Sequence, residues 1–299
     1  MAYDEFGLFQ ENAEEFALSW RGTPEVERVS VDVGDGQLLS GLVWGSGKAE
    51  LVLVHGGAQN AHTWDTVALA LDRPLVALDL PGHGHSAHRA DHAYWPAENA
   101  RALEIAVREL APDARVVAGM SLGGLSSIAL ADRARDLVRE LVLVDVTPGV
   151  TREKGSAIAQ FIDGPEYFES FDEILQRTIA FNPTRSEQSL RRGIMHNAIE
   201  DPDGRWRWRY DLPRRGSGEG DDGQIIPGLD TLWDAISNST APLTLARGSL
   251  SPVVDDADVA ELLRRRPDAR VVVFDGAGHS IQGDQPLELA EFLASRLDG

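Results

Sequence analysis

The chain has 299 residues, 42% hydrophobic and 25% charged, and a formal net charge of −20. That length suits one large α/β domain with an insertion, or two small ones; the acidic excess works against nucleic acid, anionic lipid surfaces and strongly anionic substrates unless a local basic pocket intervenes. With no cysteine there is no disulfide framework, thiolate nucleophile or cysteine metal site, and no run approaches the roughly 18 apolar residues of a membrane span.

Residues 1–25 read as an acidic helical extension. Asp4, Glu5, Glu11, Glu14 and Glu15 have the wrong sign for a signal-peptide n-region. Phe6, Phe9, Ala13, Phe16 and Ala17 fall near helical spacing and suit packing on the body. These features lead to the expectation of a cytoplasmic protein with no membrane or nucleic-acid partner. Next come two stretches of β-type alternation, 26–33 and 38–44, separated by Gly34-Asp35-Gly36, which read as a hairpin. From residue 51 the pattern changes. Short fully apolar runs at 51–54, 74–80, 115–118, 140–146, 242–246 and 270–274 alternate with helical patterns, as in a mostly parallel sheet covered on both faces.

The central motif is Ala118-Gly119-Met120-Ser121-Leu122-Gly123-Gly124. It sits between an apolar strand and a Leu/Ala/Ser-rich helix and reads as a serine nucleophile on a sharp strand-to-helix turn. Only very small neighbours fit such a strained turn, and the helix N-terminus adds partial positive charge where an oxyanion would form. A serine hydroxyl needs a base. The candidate is His279 in Gly276-Ala277-Gly278-His279-Ser280, directly after the last strand, because loops after parallel strands share one sheet edge. For the acid that orients the imidazole, Asp145 at the end of the 140–146 strand is favoured. Asp255 or Asp256 is the alternative, and a network without an acid is the third possibility. The oxyanion donors are expected to be the backbone amides of Leu122 and of Gly57, with Ala58 next in line, in the loop His55-Gly56-Gly57-Ala58-Gln59. His55 reads as tying that loop down, and Trp64 as packing locally.

The segment Asp79-Leu80-Pro81-Gly82-His83-Gly84-His85-Ser86 invites a metal reading. It lacks both a helical H-x-x-x-H and a carboxylate cluster, so a self-bonded loop is expected, with no metal and no cofactor. Residues 147–240 interrupt the α/β pattern. They show helical pieces at 171–180 and 186–199 and no hydrophobic strands, so a mainly helical cap is expected between core segments 26–146 and 241–299. Within it, Arg205-Trp206-Arg207-Trp208-Arg209-Tyr210 reads as stacked Arg/Trp packing rather than a base-stacking surface, and 214–223 as a mobile Gly/Ser/charged loop.

Taken together, His55-Gly56-Gly57, Asp79-x-Pro81-Gly82-His83-Gly84-x-Ser86, Gly119-x-Ser121-x-Gly123 and Gly278-His279 resemble the α/β-hydrolase superfamily from about residue 26 to the end. The departure is Ser251-Pro252, where many members carry the triad acid. The resemblance implies a mostly parallel sheet with helices on both faces, an inserted helical cap, and no cofactor. It also implies acyl transfer by Ser121 and His279 on a small-molecule substrate, a small carboxylic ester or lactone. A carbon–carbon bond hydrolase or an amidase would use the same pair. A ligand-binding protein with little catalysis is the alternative from another class. An acyl pocket is expected from Trp95, Phe161, Tyr167 and Phe168.

Overall fold

The computed structural model describes residues 3–211 and 228–299; the 214–223 stretch lies outside them. Eleven strands are described: β1 (Val26–Asp32), β2 (Leu38–Trp44), β3 (Leu51–Val54), β4 (Leu75–Leu78), β5 (Val116–Met120), β6 (Leu141–Val144), β7 (Tyr167–Phe168), β8 (Ala198–Glu200), β9 (Trp206–Trp208), β10 (Leu243–Gly248) and β11 (Arg270–Phe274). The α-helices are α1 (Phe9–Glu15), α2 (Asp65–Leu71), α3 (Pro96–Leu110), α4 (Leu122–Arg133), α5 (Ser156–Ile162), α6 (Phe171–Phe181), α7 (Glu187–Asn197), α8 (Leu229–Asn238), α9 (Asp256–Arg265), α10 (Ile281–Asp284) and α11 (Pro286–Leu297).

Eight strands form one sheet in the order β1-β2-β4-β3-β5-β6-β10-β11. The hairpin β1–β2 is antiparallel, its turn made by Gly34, Asp35 and Gly36, all at positive φ. From β4 to β11 every pairing is parallel. The fully apolar strands follow from having a core on each side. Val52, Val54, Val117, Leu141 and Leu143 face a core shared with α3, α4 and α8. Their neighbours Leu51, Leu53, Val116, Val142 and Val144 face a second core, shared with α2 and α11. The period of two thus serves two hydrophobic layers at once.

The N-terminal segment packs on the body. Phe9 is fully buried, its ring 4.9 Å from that of Trp44, and Glu5 pairs with Arg28 at 2.6 Å. The helix there, α1, covers only seven residues.

Two features of the 147–240 stretch differ from the sequence expectation. The stretch contains a three-stranded antiparallel sheet, β7-β9-β8, whose middle strand is the Arg/Trp alternation itself. Its strands are two or three residues long, too short for hydrophobic periodicity to register. Trp208 packs edge-on to Phe168 and stacks on Tyr210, while Arg205 sits over the ring of Tyr167. Phe168, Ile174, Leu175, Leu190, Ile194, Ala198 and Trp208 form a small separate core. Helix α8, in contrast, belongs to the main core: Leu229, Leu232, Trp233 and Ile236 are buried with α4 rather than with the small cluster.

Candidate active site

Ser121 stands between β5 and α4 with φ 50° and ψ −119°, a backbone region that non-glycine residues seldom adopt. The turn is enforced by contact. A Cβ on Gly119 would come within 2.5 Å of the Gly123 carbonyl oxygen, and one on Gly123 within 2.4 Å of the carbonyl oxygens of Val54 and His55. Only glycine lets the elbow close against β3, which aims the serine off the top of the sheet.

Asp145 follows β6 and is also at positive φ, and it is fully buried. Its carboxylate is saturated with donors. Oδ1 accepts the Gly248 N–H at 2.9 Å; Oδ2 accepts the Ser251 hydroxyl and lies 2.7 Å from His279 Nδ1. The loop Ser251-Pro252, which lacks an acid, therefore supplies a hydroxyl to the acid on the neighbouring strand. Gly248 allows this approach, since a Cβ there would lie 2.2 Å from the Gly278 carbonyl oxygen. With Nδ1 held by Asp145, His279 Nε2 is buried and has no hydrogen-bond partner among the described residues. Ser121 and His279 line the same cavity, of about 450 Å³. The other acids considered are engaged elsewhere. Asp255 caps α9 in a reciprocal capping box with Asp258 and pairs with Lys154; Asp256 is exposed and pairs with Arg247.

The loop after β3 carries Gly57, whose amide is expected from the sequence to be an oxyanion donor. Leu80 N–H donates to His55 Nε2 at 2.9 Å, so the proton sits on Nδ1, which donates to the Gly56 carbonyl at 2.7 Å. Burial pushes the His55 pKa down, and the two hydrogen bonds fix this tautomer. Because a peptide unit is planar and trans, pinning the Gly56 carbonyl fixes the Gly57 N–H in the opposite direction. Gly56 packs on the elbow: a Cβ there would meet Met120 Sδ at 2.4 Å and Ser121 Cβ at 3.1 Å. Gly57 and Ala58 line the cavity; Leu122 opens α4, where first-turn amides have no intrahelical acceptor.

Of the four aromatic residues expected to line the pocket, Phe161 does. Trp95 is exposed ahead of α3, Tyr167 is exposed beneath Arg205, and Phe168 is consumed by the small core; none of these three lines the cavity. The apolar wall instead comes from Ile158, Phe161, Phe181, Leu190 and Ile194. Sequence reasoning missed Ser251, Arg185 and Arg192 at the site, because their roles lie in partners distant along the chain.

The Asp79 loop is self-bonded. Asp79 accepts from the amides of Ala61 and His85 and from Arg28, and the Ser86 hydroxyl donates to the Asp79 carbonyl. A different cluster meets the distance requirement for a metal: the ligand atoms of His62, Asp65 and His196 lie within 4.8 Å of one another. The donor set does not fit a resident ion. The two imidazoles are stacked 3.7 Å apart and 9° from parallel, so an ion in the plane of one ring lies outside the plane of the other. His62 already uses both nitrogens, Nδ1 to Asp65 at 2.9 Å and Nε2 to Glu5 at 3.1 Å. Burial opposes a charge on His62, but the Asp65 charge and the hydrogen bonds to Asp65 and Glu5 outweigh it and push the pKa up to about 9. Burial also pushes the Asp65 pKa up and the His196 pKa well down, so the cluster holds a proton shared between His62 and Asp65, with His196 stacked on the pair.

A family model described as the alpha/beta hydrolase family matches residues 51–292. The esterase Rv0045c of Mycobacterium tuberculosis is 45% identical over 303 residues, covering 99% of this chain and 96% of that one. A solved structure of the same esterase, described under transition metal inhibition and structural refinement, superposes with a TM-score of 0.87 at 44% identity and full coverage of both chains. The 2-(acetamidomethylene)succinate hydrolase of Mesorhizobium japonicum is 28% identical over 240 residues, covering 79% of this chain and 83% of that one.

Proposed function

The chain belongs to the alpha/beta hydrolase family, and from that premise we propose that it is a serine ester hydrolase acting on a small carboxylic ester or lactone through an acyl-enzyme on Ser121. The observation that carries the reading is the hydrogen bond from His279 Nδ1 to buried Asp145, which leaves Nε2 unpartnered in the cavity that Ser121 lines.

In this mechanism His279 Nε2 takes the Ser121 proton as Oγ attacks the ester carbonyl. Asp145 holds the imidazole in the tautomer with the proton on Nδ1 and stabilises the imidazolium. The amides of Gly57 and Leu122 receive the developing oxyanion, at a helix N-terminus whose dipole favours negative charge. His279 then protonates the leaving alkoxide and activates the water that cleaves the acyl-enzyme. No step draws on a cofactor. The 147–211 segment acts as a cap, its α5 to α7 supplying the apolar wall for the substrate chain. The binding-protein alternative drew its support from the acid missing near Ser251; the hydrogen bond between Asp145 and His279 supports the enzymatic reading instead.

The test is intact-mass analysis after a fluorophosphonate. One adduct is expected on the wild type, none on Ser121→Ala, and slowed labelling on Asp145→Asn but not on Asp255→Asn. A folded wild type that takes up no label would overturn the proposal.

A further inference from the structure

The catalytic cavity has a second polar corner. Arg185, between α6 and α7, and Arg192, on α7, both line it with Ser121 and His279. The Arg185 guanidinium lies against α10, close enough that a Cβ on Gly283 would come within 2.8 Å of its Cζ. Its Nη2 donates to the Ser189 hydroxyl, whereas its Nε is buried with no partner, and among the described residues no carboxylate pairs with it. Arg192 is 4% exposed; it spends Nε on Asn12 and Nη2 on Glu15, and its Nη1 is again buried without a partner.

Two guanidinium groups thus leave buried N–H donors unsatisfied in the wall of a cavity that is apolar along Ile158, Phe161, Phe181 and Ile194 and polar around Asn182, Thr184 and Asp284. Buried donors of native proteins have acceptors, and a buried cation has a counter-charge. Arg192 has Glu15. Arg185 has no partner of that kind: Asp284 and Glu15 act on it only at a distance, and burial dominates, pulling its pKa down. The planar guanidinium fork matches a carboxylate in two parallel hydrogen bonds, which a lysine ammonium does not reproduce. A protein of net charge −20 repels anions over most of its surface, so a local pair of arginines is what an anionic group needs in order to enter.

We infer that Arg185 and Arg192 form a carboxylate-receiving subsite of the catalytic cavity, and that the preferred substrates are esters carrying a second, ionised carboxylate. The inference rests on the ester-hydrolase reading above and adds the substrate class. Arg185 supplies the unpaired charge. Arg192, held by Asn12 and Glu15, supplies a fixed donor and connects the subsite to the N-terminal segment.

The experiment compares 4-nitrophenyl hydrogen glutarate with its neutral methyl ester. The half-ester is expected to show a KM about tenfold lower than the neutral ester, at similar kcat and with a preference that fades as salt is raised. In Arg185→Gln the ratio between the two substrates falls toward one; in Arg185→Lys it is recovered only in part. An equal KM for both esters in the wild type, or a ratio surviving in both Arg185→Gln and Arg192→Gln, overturns the subsite. Where a variant does not fold, the wild-type ratio and its salt dependence decide. Calorimetry of monomethyl glutarate on Ser121→Ala separates the two proposals. Binding without turnover of either ester in the wild type sinks the hydrolase reading and keeps the anion site; turnover of both esters with no binding and no preference does the reverse.

Discussion

The two sides of the catalytic cavity are held by different means. On the sheet side, Ser121, Asp145 and the amides around Gly57 sit on backbone that steric contact leaves no room to move: Gly119, Gly123 and Gly248 each occupy a place where a single methyl would collide with a carbonyl oxygen. On the cap side, α5 to α7 reach the body through side chains. Asn197 Nδ2 donates to the Ala58 carbonyl at 2.6 Å, Asn60 to the His196 carbonyl at 3.1 Å, and Lys154 pairs with Asp258 at 2.7 Å. On the mechanism proposed above, the sheet edge would fix the reacting atoms and the cap would select what reaches them. Changes on the sheet side should fall on kcat or on folding, and changes on the cap side on KM.

The largest effect expected is from Asp145→Asn, which leaves the packing and removes the charge that orients His279. By analogy with other serine enzymes kcat falls by about 10⁴ with KM little changed. Steady-state kinetics on a 4-nitrophenyl ester checks this, and a loss under tenfold would show that the acid is not needed. Gly123→Ala tests the rigid side through stability. Its Cβ would sit 2.4 Å from two carbonyl oxygens, and an overpacked, strained elbow costs roughly 3 kcal/mol or more, read as a lowered urea midpoint.

The His62 network joins the two sides and adds a pH signature. Its folded pKa, pushed up to about 9, exceeds the unfolded value near 6.5. Its contribution is therefore complete below about pH 6.5 and is lost as pH rises through 9, an effect on the order of 2–3 kcal/mol. Unfolding midpoints measured from pH 6.5 to 9.5 should fall, and His62→Gln should flatten that fall. The smallest effect belongs to Asn197→Ala, which cuts one tie between cap and oxyanion loop. About 1 kcal/mol, a several-fold loss in kcat/KM, is expected, and a kcat effect as large as that of Asp145→Asn would erase the distinction between the sides.

Much of the sheet side was legible because its requirements are local. The elbow is written within five residues, and the parallel sheet within apolar runs of four to seven residues. The position of His279 follows from the rule that loops after parallel strands share an edge. The cap was read less well. The β7-β9-β8 sheet is too short for periodicity, α8 carries an ordinary amphipathic pattern that does not say which core it joins, and of the four aromatics assigned to the pocket Phe168 joins the small core, Tyr167 lies under Arg205 and Trp95 is exposed.

The sequence by itself determined the fold family, and it pointed to Ser121, His279 and the loop around Gly57 as the candidate site, because steric and hydrophobic constraints acting over a few residues leave a strand–turn–helix serine little other use. Only the tertiary structure decided which carboxylate reaches His279, that Ser251 supports that carboxylate, that Phe161 alone of the expected aromatics lines the cavity, and that Arg185 and Arg192 share it. Those are pairings between side chains far apart in the chain, 134 positions in the case of Asp145 and His279. They are fixed by how strands order and loops meet in space, and a linear pattern carries no record of that.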